Sequence, residues 1–282
     1  GPLVCVPMPV LLGALASGLI GVSDYFGRYC TRRAQAMTSV GTAFIGGLAI
    51  TAVLLVFVPS TIGYEALALG AASGALMALA LSAMWHSMAI SSASIASPIV
   101  AAFTALGPLG YGVATGERPS HIVALGIACA VIGLLAAVIV TDLGGRLRAG
   151  IAYAVLAGTA FAVAAVLLAW TSLESGMWPA VSQRFVATAL MLLATRVMRV
   201  PQILPRSLRL AGFVGGLMGG AGIAALIAGL QRGPVGEVAV AGSLYPVVTI
   251  ALAVLFDEDR LRWWQIVGIT AVLTGTTLMT VG

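Results

Sequence analysis

The sequence predicts an all-α, polytopic membrane protein whose ten transmembrane helices form two inverted five-helix repeats. Three observations carry that expectation. Of the 282 residues, 60% are hydrophobic and only 8% charged, with mean hydropathy +1.09, whereas soluble chains carry roughly a quarter charged residues. The few charges recur every 25 to 30 residues or so, leaving ten apolar stretches near the ~20 residues a helix needs to cross the hydrocarbon core. The last five stretches also repeat the order of features in the first five. With no water to satisfy open backbone groups, helices are the economical way to span.

The first repeat is read over residues 7–141, with spans at about 7–28, 37–58, 64–87, 93–115 and 121–141. Span one ends near Asp24 and Arg28, whose four-residue spacing places them side by side on a helix as an ion pair at its cytoplasmic end. Span three carries Gly70-x-x-x-Gly74, a pairing that lets helix backbones approach closely, and closes on Trp85-His86. Span four holds Pro98, Gly107-Pro108, Gly110, Tyr111 and Gly112, followed by the acidic turn at Glu117.

The second repeat is read over residues 149–281, with spans at about 149–170, 177–197, 209–231, 236–256 and 262–281. Gln183-Arg184-Phe185 sits about two turns inside span seven. Span eight answers the span-three glycines with Gly212, Gly216 and Gly220. Span nine holds Gly242, Ser243 and Tyr245-Pro246 before the turn Asp257-Glu258-Asp259. The proline-to-acid spacing differs between repeats, nine residues from Pro108 to Glu117 and twelve from Pro246 to Glu258. Connections are short, so neighbouring helices run antiparallel and the two repeats form one integrated membrane domain. Gly1-Pro2, an opening without methionine, reads as a cloning remnant outside the fold; neither a cleaved leader nor an appended soluble domain is expected.

All 14 basic residues are arginine. Eleven of them (Arg28, Arg32, Arg33, Arg146, Arg148, Arg196, Arg199, Arg206, Arg209, Arg260 and Arg262) follow spans one, five, seven and nine, against Arg118 and Arg232 on the opposite face. Positive charge marks the cytoplasmic side, so these loops are expected inside and both termini outside. Because the arginines line short loops and form no patch, nucleic acid is not an expected partner. Cys5, Cys30 and Cys129 lack metal or disulfide spacing and read as small buried or interfacial side chains. Trp170, Trp178, Trp263 and Trp264 fall at span ends, where indoles form an interfacial belt.

Five spans per repeat is an odd number, so the second repeat enters the membrane upside down. Such repeats place a substrate site near the midplane, between the halves. Transport is therefore the expected function, with a small molecule as cargo, the bilayer as solvent and protons as a candidate coupling ion. No H-E-x-x-H pair, G-x-S-x-G turn or phosphate-cradling glycine–lysine loop is present, which weighs against a membrane-embedded enzyme; a channel is the other competing class. No metal or cofactor is implied.

Residues 229–279, from Gly-Leu-Gln-Arg-Gly-Pro-Val-Gly through Ser-Leu-Tyr-Pro-Val-Val-Thr and Asp-Glu-Asp-Arg-Leu to Gln-Ile-Val-Gly, resemble the second repeat of EamA-type transporters of the drug/metabolite transporter superfamily. Ile95-Ala96-Ser97-Pro98, Gly107-Pro108, Gly116-Glu117-Arg118-Pro119 and Gly126 are weaker echoes in the first repeat, and Gln183-Arg184-Phe185 is similar to a pair often found in span seven. The resemblance implies a ten-helix secondary transporter, commonly an exporter of amino acids or other small metabolites, here in a bacterial cytoplasmic (inner) membrane. The superfamily also holds sugar-phosphate and nucleotide-sugar carriers. Multiply charged cargo wants several buried cations, however, and only Arg184 lies inside a span.

Several residues are candidates for the mechanism. Pro98, Pro108 and Pro246 remove backbone donors and clash with the preceding turn, so spans four and nine either open onto a central cavity or merely curve for packing. Arg184 offers a planar fork suited to a carboxylate or phosphate; snorkelling or pairing with Glu174 or Glu237 are the alternatives. His86 carries a proton or sits satisfied at the interface, while Trp85 offers a flat apolar wall. The hydroxyls of Tyr111, Tyr245 and Ser243 and the amide of Gln183 either orient a polar substrate head or serve packing.

Overall fold

The computed structural model describes residues 7–91, 93–116 and 145–257, together with positions 118, 121, 122, 124, 125, 128, 129, 267, 270, 271 and 274. Among the described residues, regular structure is helical throughout: α1 (Met8–Thr31), α2 (Ala36–Phe57), α3 (Tyr64–Ile90), α4 (Ala93–Ala114), α5 (Gly145–Ala169), α6 (Trp178–Val197), α7 (Arg206–Leu230), α8 (Val235–Gly242) and α9 (Tyr245–Asp257), with a short 3-10 turn at Leu173–Ser175. Spans five and ten fall almost wholly outside the described residues. So do Cys5, Glu117, Glu258, Asp259, Trp263 and Trp264.

Prolines set many of the helix starts. Pro7 caps α1, Pro205 caps α7 and Pro234 caps α8, while Pro9 and Pro179 occupy the first turns of α1 and α6. A first-turn proline loses nothing, because that N–H has no intrahelical partner. Arg28 and Arg196 lie in the last turns of α1 and α6, where positive charge suits the helix dipole.

Among the described residues, six stretches are long and apolar enough to cross a membrane: α1, α2, α3, α5, α7 and the composite Val235–Phe256. Helix α6 has 20 residues, a rise of about 30 Å, yet its apolar content is lower. The cause is an inward polar face of Gln183, Arg184, Thr188 and Thr195, all buried. Hydroxyls inside the bundle return to carbonyls one turn back: Thr31 to Gly27 (2.7 Å), Ser82 to Ala78 (2.7 Å), Thr188 to Arg184 (2.6 Å) and Thr195 to Met191 (3.0 Å). That pattern satisfies polar groups without water.

Helices adjacent in sequence within one half touch sparsely; the extensive contacts cross from one half of the chain to the other. Helix α1 packs along α7 as α5 packs along α3. Helix α2 meets α7 as α6 meets α3, and α1 meets α8 and α9 as α5 meets α4. Exchanging α1 with α5, α2 with α6, α3 with α7 and α4 with α8–α9 leaves this contact pattern unchanged. The remaining two large contacts, α2 with α6 and α4 with α8, map onto themselves.

The glycine pairs enable two of the matched contacts. A Cβ at Gly70 of α3 would stand 2.6 Å from the Pro179 carbonyl oxygen of α6, and one at Gly216 of α7 would stand 2.8 Å from the Ala43 carbonyl carbon of α2. Both glycine runs therefore act as backbone-to-backbone seams, in line with their packing role. Cys30 is fully buried with a free thiol, and Cys129 is partly buried and also free.

Candidate functional site

Span nine is broken at its middle. Helix α8 ends at Gly242, the Ser243 N–H turns back to the carbonyls of Ala239 (2.9 Å) and Val240 (3.0 Å), and α9 starts at Tyr245 with Pro246 in its first turn. Pro246 has no N–H to give the Gly242 carbonyl four residues back, and its ring crowds that turn. The apolar stretch Val235–Phe256 is thus two half-helices meeting at Ser243–Leu244. Span four behaves otherwise: α4 runs unbroken through Pro98 and Pro108. The expected pair of opened helices is one-sided.

Beside the break lies a cavity enclosing about 860 Å³ not filled by atoms, part of it open to solvent. Its walls come from α1 to α8 and the break itself. Apolar side chains dominate: Ile20, Met77, Leu81, Met84, Phe161, Leu168, Ile223 and Leu226. Six polar residues face in, namely Ser23, Asp24, Thr104, Arg184, Ser243 and Tyr245. A mostly apolar concavity with a few convergent polar groups is the usual character of a small-molecule site.

Arg184 is 5% exposed, so it does not snorkel. Its Nη2 donates to the Gly219 carbonyl at 3.0 Å, its guanidinium carbon sits 5.4 Å from the centre of the Phe44 ring, and its Nε has no partner. Tyr245 is buried with an unpartnered hydroxyl. Ser243 donates to the Ala239 carbonyl at 2.7 Å. Thr104 lies one turn before Pro108 and is the contribution of α4 to the wall. Spans four and nine therefore both reach the cavity, by different means.

The other predicted residues lie elsewhere. Trp85 is buried, 1% exposed, but stands behind the wall: its indole crosses Gly27 of α1 and its Nε1 donates to Asp24 Oδ1 at 3.5 Å. His86, about 100° further round the helix, is exposed and stacks edge-on against Tyr153 at 4.8 Å. Tyr111 accepts a 2.7 Å hydrogen bond from Trp170 Nε1 at the rim where α4 and α5 end. Gln183 is fully buried and donates to Ser73 Oγ (2.8 Å), which donates to the Ala164 carbonyl (3.1 Å), tying α6 to α3 and α5. These four side chains are not brought to the cavity.

Asp24 is the residue that sequence reasoning misplaced. Its carboxylate turns to Trp85 rather than to Arg28; it is 2% exposed, and Oδ2 has no partner. An ionisable residue inside a span is by default a candidate site residue, and that signal was outweighed by the four-residue spacing to Arg28. Met77, Leu81 and Met84 stand at i, i+4 and i+7, a stripe that sequence alone cannot tell from ordinary packing. Among the described residues, no cluster of His, Cys, Asp or Glu could hold a metal ion.

Comparison with known proteins agrees with this architecture. A protein of known crystal structure superimposes over 96% of this chain and 94% of its own, with TM-score 0.72 and 16% sequence identity, which establishes a shared fold. A search of curated proteins finds no match. Residues 148–281 match the EamA-like transporter family. That match spans just under half of a chain of membrane-length helices, and it marks residues 148–281 as an EamA-like transporter domain of the drug/metabolite transporter superfamily.

Proposed function

We propose that this chain is a secondary transporter that exports small metabolites, amino acids foremost, by alternating access across a bacterial inner membrane. Its frame would be ten helices in two inverted repeats, residues 7–141 and 149–281, with arginine-rich loops inside and both termini outside. The exchange symmetry of the helix contacts supports the repeat. The observation that carries the functional reading is the central cavity, apolar in its walls, cut by the mid-span break and holding the buried Arg184 guanidinium with a free Nε. A guanidinium in an apolar setting suits one carboxylate, and half-helix ends at the midplane are a common binding device of inverted-repeat carriers.

The packing favours particular moving bodies. Because α1, α2, α7 and α8–α9 hold together, as do α5, α6, α3 and α4, the bodies that rock would be these mixed bundles. They touch chiefly along α2–α6 and α4–α8. Rocking of one sequence half against the other would instead tear the largest contacts. Phosphorylated sugars and nucleotide-sugars are the second reading, and a single cavity-facing arginine among the described residues serves a dianion poorly. The test is saturable, self-exchanging flux of labelled amino acids into proteoliposomes of the purified protein. Failure of every small zwitterion beside flux of phosphorylated compounds would reverse the order of the two readings.

A further inference from the structure

The mechanism so far uses one charged group of the cavity and leaves another. Asp24 and Arg184 both line the same space, both are at most 5% exposed, and each presents a polar atom without a partner, Oδ2 and Nε respectively. Tyr245 adds a third such atom, its hydroxyl. Three unmatched buried polar atoms around one cavity are far from what a finished interior tolerates, since each lacks the partner that offsets its lost hydration.

Their arrangement is fixed by glycine contacts. At Gly21 the backbone of α1 lies against the first turn of α9: a Cβ there would stand 2.7 Å from the Tyr245 carbonyl oxygen, and Thr249 Oγ1 donates to the Gly21 carbonyl at 3.1 Å. Asp24 is three residues on, hence on the same face of α1, and Trp85 crosses the next position of that face at Gly27. The carboxylate is held between the break in span nine and the indole of α3. Arg184 on α6 is bonded to the Gly219 carbonyl, while the bare face of Gly219 meets Ser23. The groups around Asp24 are thus Arg28 one turn on along α1, Trp85 on α3, Tyr245 on α9 and Arg184 across the cavity. Asp24 Oδ2 is a buried acceptor without a partner, and Arg184, which lines the same cavity, holds a buried donor without one.

We infer that Asp24, with the Tyr245 hydroxyl, forms an ammonium-binding subsite, so that the cavity reads a protonated amine at one end and a carboxylate at the other. This rests on the transport reading for the location of the cargo but makes its own claim, that the cargo carries a primary or secondary amine. An ammonium brings three donors; Asp24 Oδ2 and the Tyr245 oxygen would accept two of them, and each would gain the partner it lacks. The Trp85 N–H on Oδ1 fixes the rotation of the carboxylate, which makes Trp85 a positioning residue.

The test uses the purified full chain in detergent and three probes sharing one side chain: leucine, 3-methylbutylamine (no carboxylate) and 4-methylpentanoate (no amine). Binding is measured by calorimetry for the wild type, Asp24→Asn and Arg184→Gln. The expected result is that Asp24→Asn weakens leucine and 3-methylbutylamine by about 10-fold or more, the scale of one charge-assisted hydrogen bond, and leaves 4-methylpentanoate unchanged. Arg184→Gln should show the mirror pattern. Retained 4-methylpentanoate binding doubles as proof that the Asp24→Asn protein is folded. Should that variant not fold, Tyr245→Phe replaces it, with amine binding expected to drop several-fold.

Amine binding that depends on Asp24, without any amino acid flux in proteoliposomes, would uphold this subsite and sink the amino acid reading. Equal losses for all three probes, or none, would overturn the inference. So would a pH dependence of leucine flux that vanishes in Asp24→Asn while amine discrimination survives, because the carboxylate would then carry a proton and not the cargo's amine.

Discussion

Replacing Arg184 with methionine should leave the fold about as stable, or more so, while removing carboxylate recognition. The side chain is buried, its Nε is unpartnered, and Nη2 has one acceptor, the Gly219 carbonyl at 3.0 Å. A guanidinium has five donors, so most of its desolvation is uncompensated in the empty protein. Exchanging buried charged groups for apolar residues of similar volume has stabilised other proteins by about 1–4 kcal/mol. Against that stands the lost attraction to the Phe44 ring, centred 5.4 Å away, worth ~0.5–2 kcal/mol. The Gly219 carbonyl lies inside α7 and keeps its helical bond. The net expectation runs from about 1 kcal/mol against the variant to about 3.5 kcal/mol in its favour, a thermal midpoint within a few degrees of the wild type or raised by several. Midpoints would be read from tryptophan fluorescence of detergent-purified wild type and variant, alongside binding of leucine and 4-methylpentanoate. A midpoint lowered by ~5 °C or more would refute the reasoning: the guanidinium would then be a structural clamp between α6 and α7 and not an open cargo contact.

Other outcomes follow from the same geometry. Gly216→Val should cost about 1–3 kcal/mol or abolish folding, because its side chain would enter the Ala43 backbone; Gly110→Val, with open space around it, should match the wild type in size-exclusion profile and melting. His86→Ala should leave transport rate and its pH profile within about twofold, since the ring stands outside against Tyr153; a lost pH response would show that the ring reaches the transport path. Pro246→Ala restores a donor to the Gly242 carbonyl and allows α8 to run into α9, so transport turnover should fall severalfold with expression and melting intact. Unchanged turnover would mean that the break is only a bend.

Much of the fold was legible in the sequence because the bilayer imposes a length and a composition that few other constraints do. The predicted spans at 37–58, 64–87 and 177–197 agree with α2, α3 and α6 to within a few residues. The side-chain assignments fared less evenly, for one physical reason. Adjacent residues on a helix point about 100° apart, so Trp85 and His86, or Gln183 and Arg184, cannot share a destination, and apolar sequence around them carries too little periodicity to say which one turns inward. Asp24 and Arg28 show the converse error, in that helix spacing permits a pair without requiring it. The asymmetry of the two proline helices was also hidden. Pro246 follows Gly242 and Ser243, whereas Pro108 sits in a helix braced by α5, where Gly107 meets Ala162.

The cross-chain packing bears on how the protein is made. Helix α1 finds its principal neighbour in α7, which begins about 175 residues later in synthesis, a delay of roughly 10–35 s at ribosomal speeds. Until then the early helices stand in the lipid almost unassociated, with seams of glycine and buried hydroxyls awaiting their mates. Assembly must be concerted and late, and a ribosome that stalled midway would leave a fragment whose described helices lack their principal native neighbours. By the same logic, two polypeptides severed just before Gly145 and produced in one cell should find each other and rebuild the carrier.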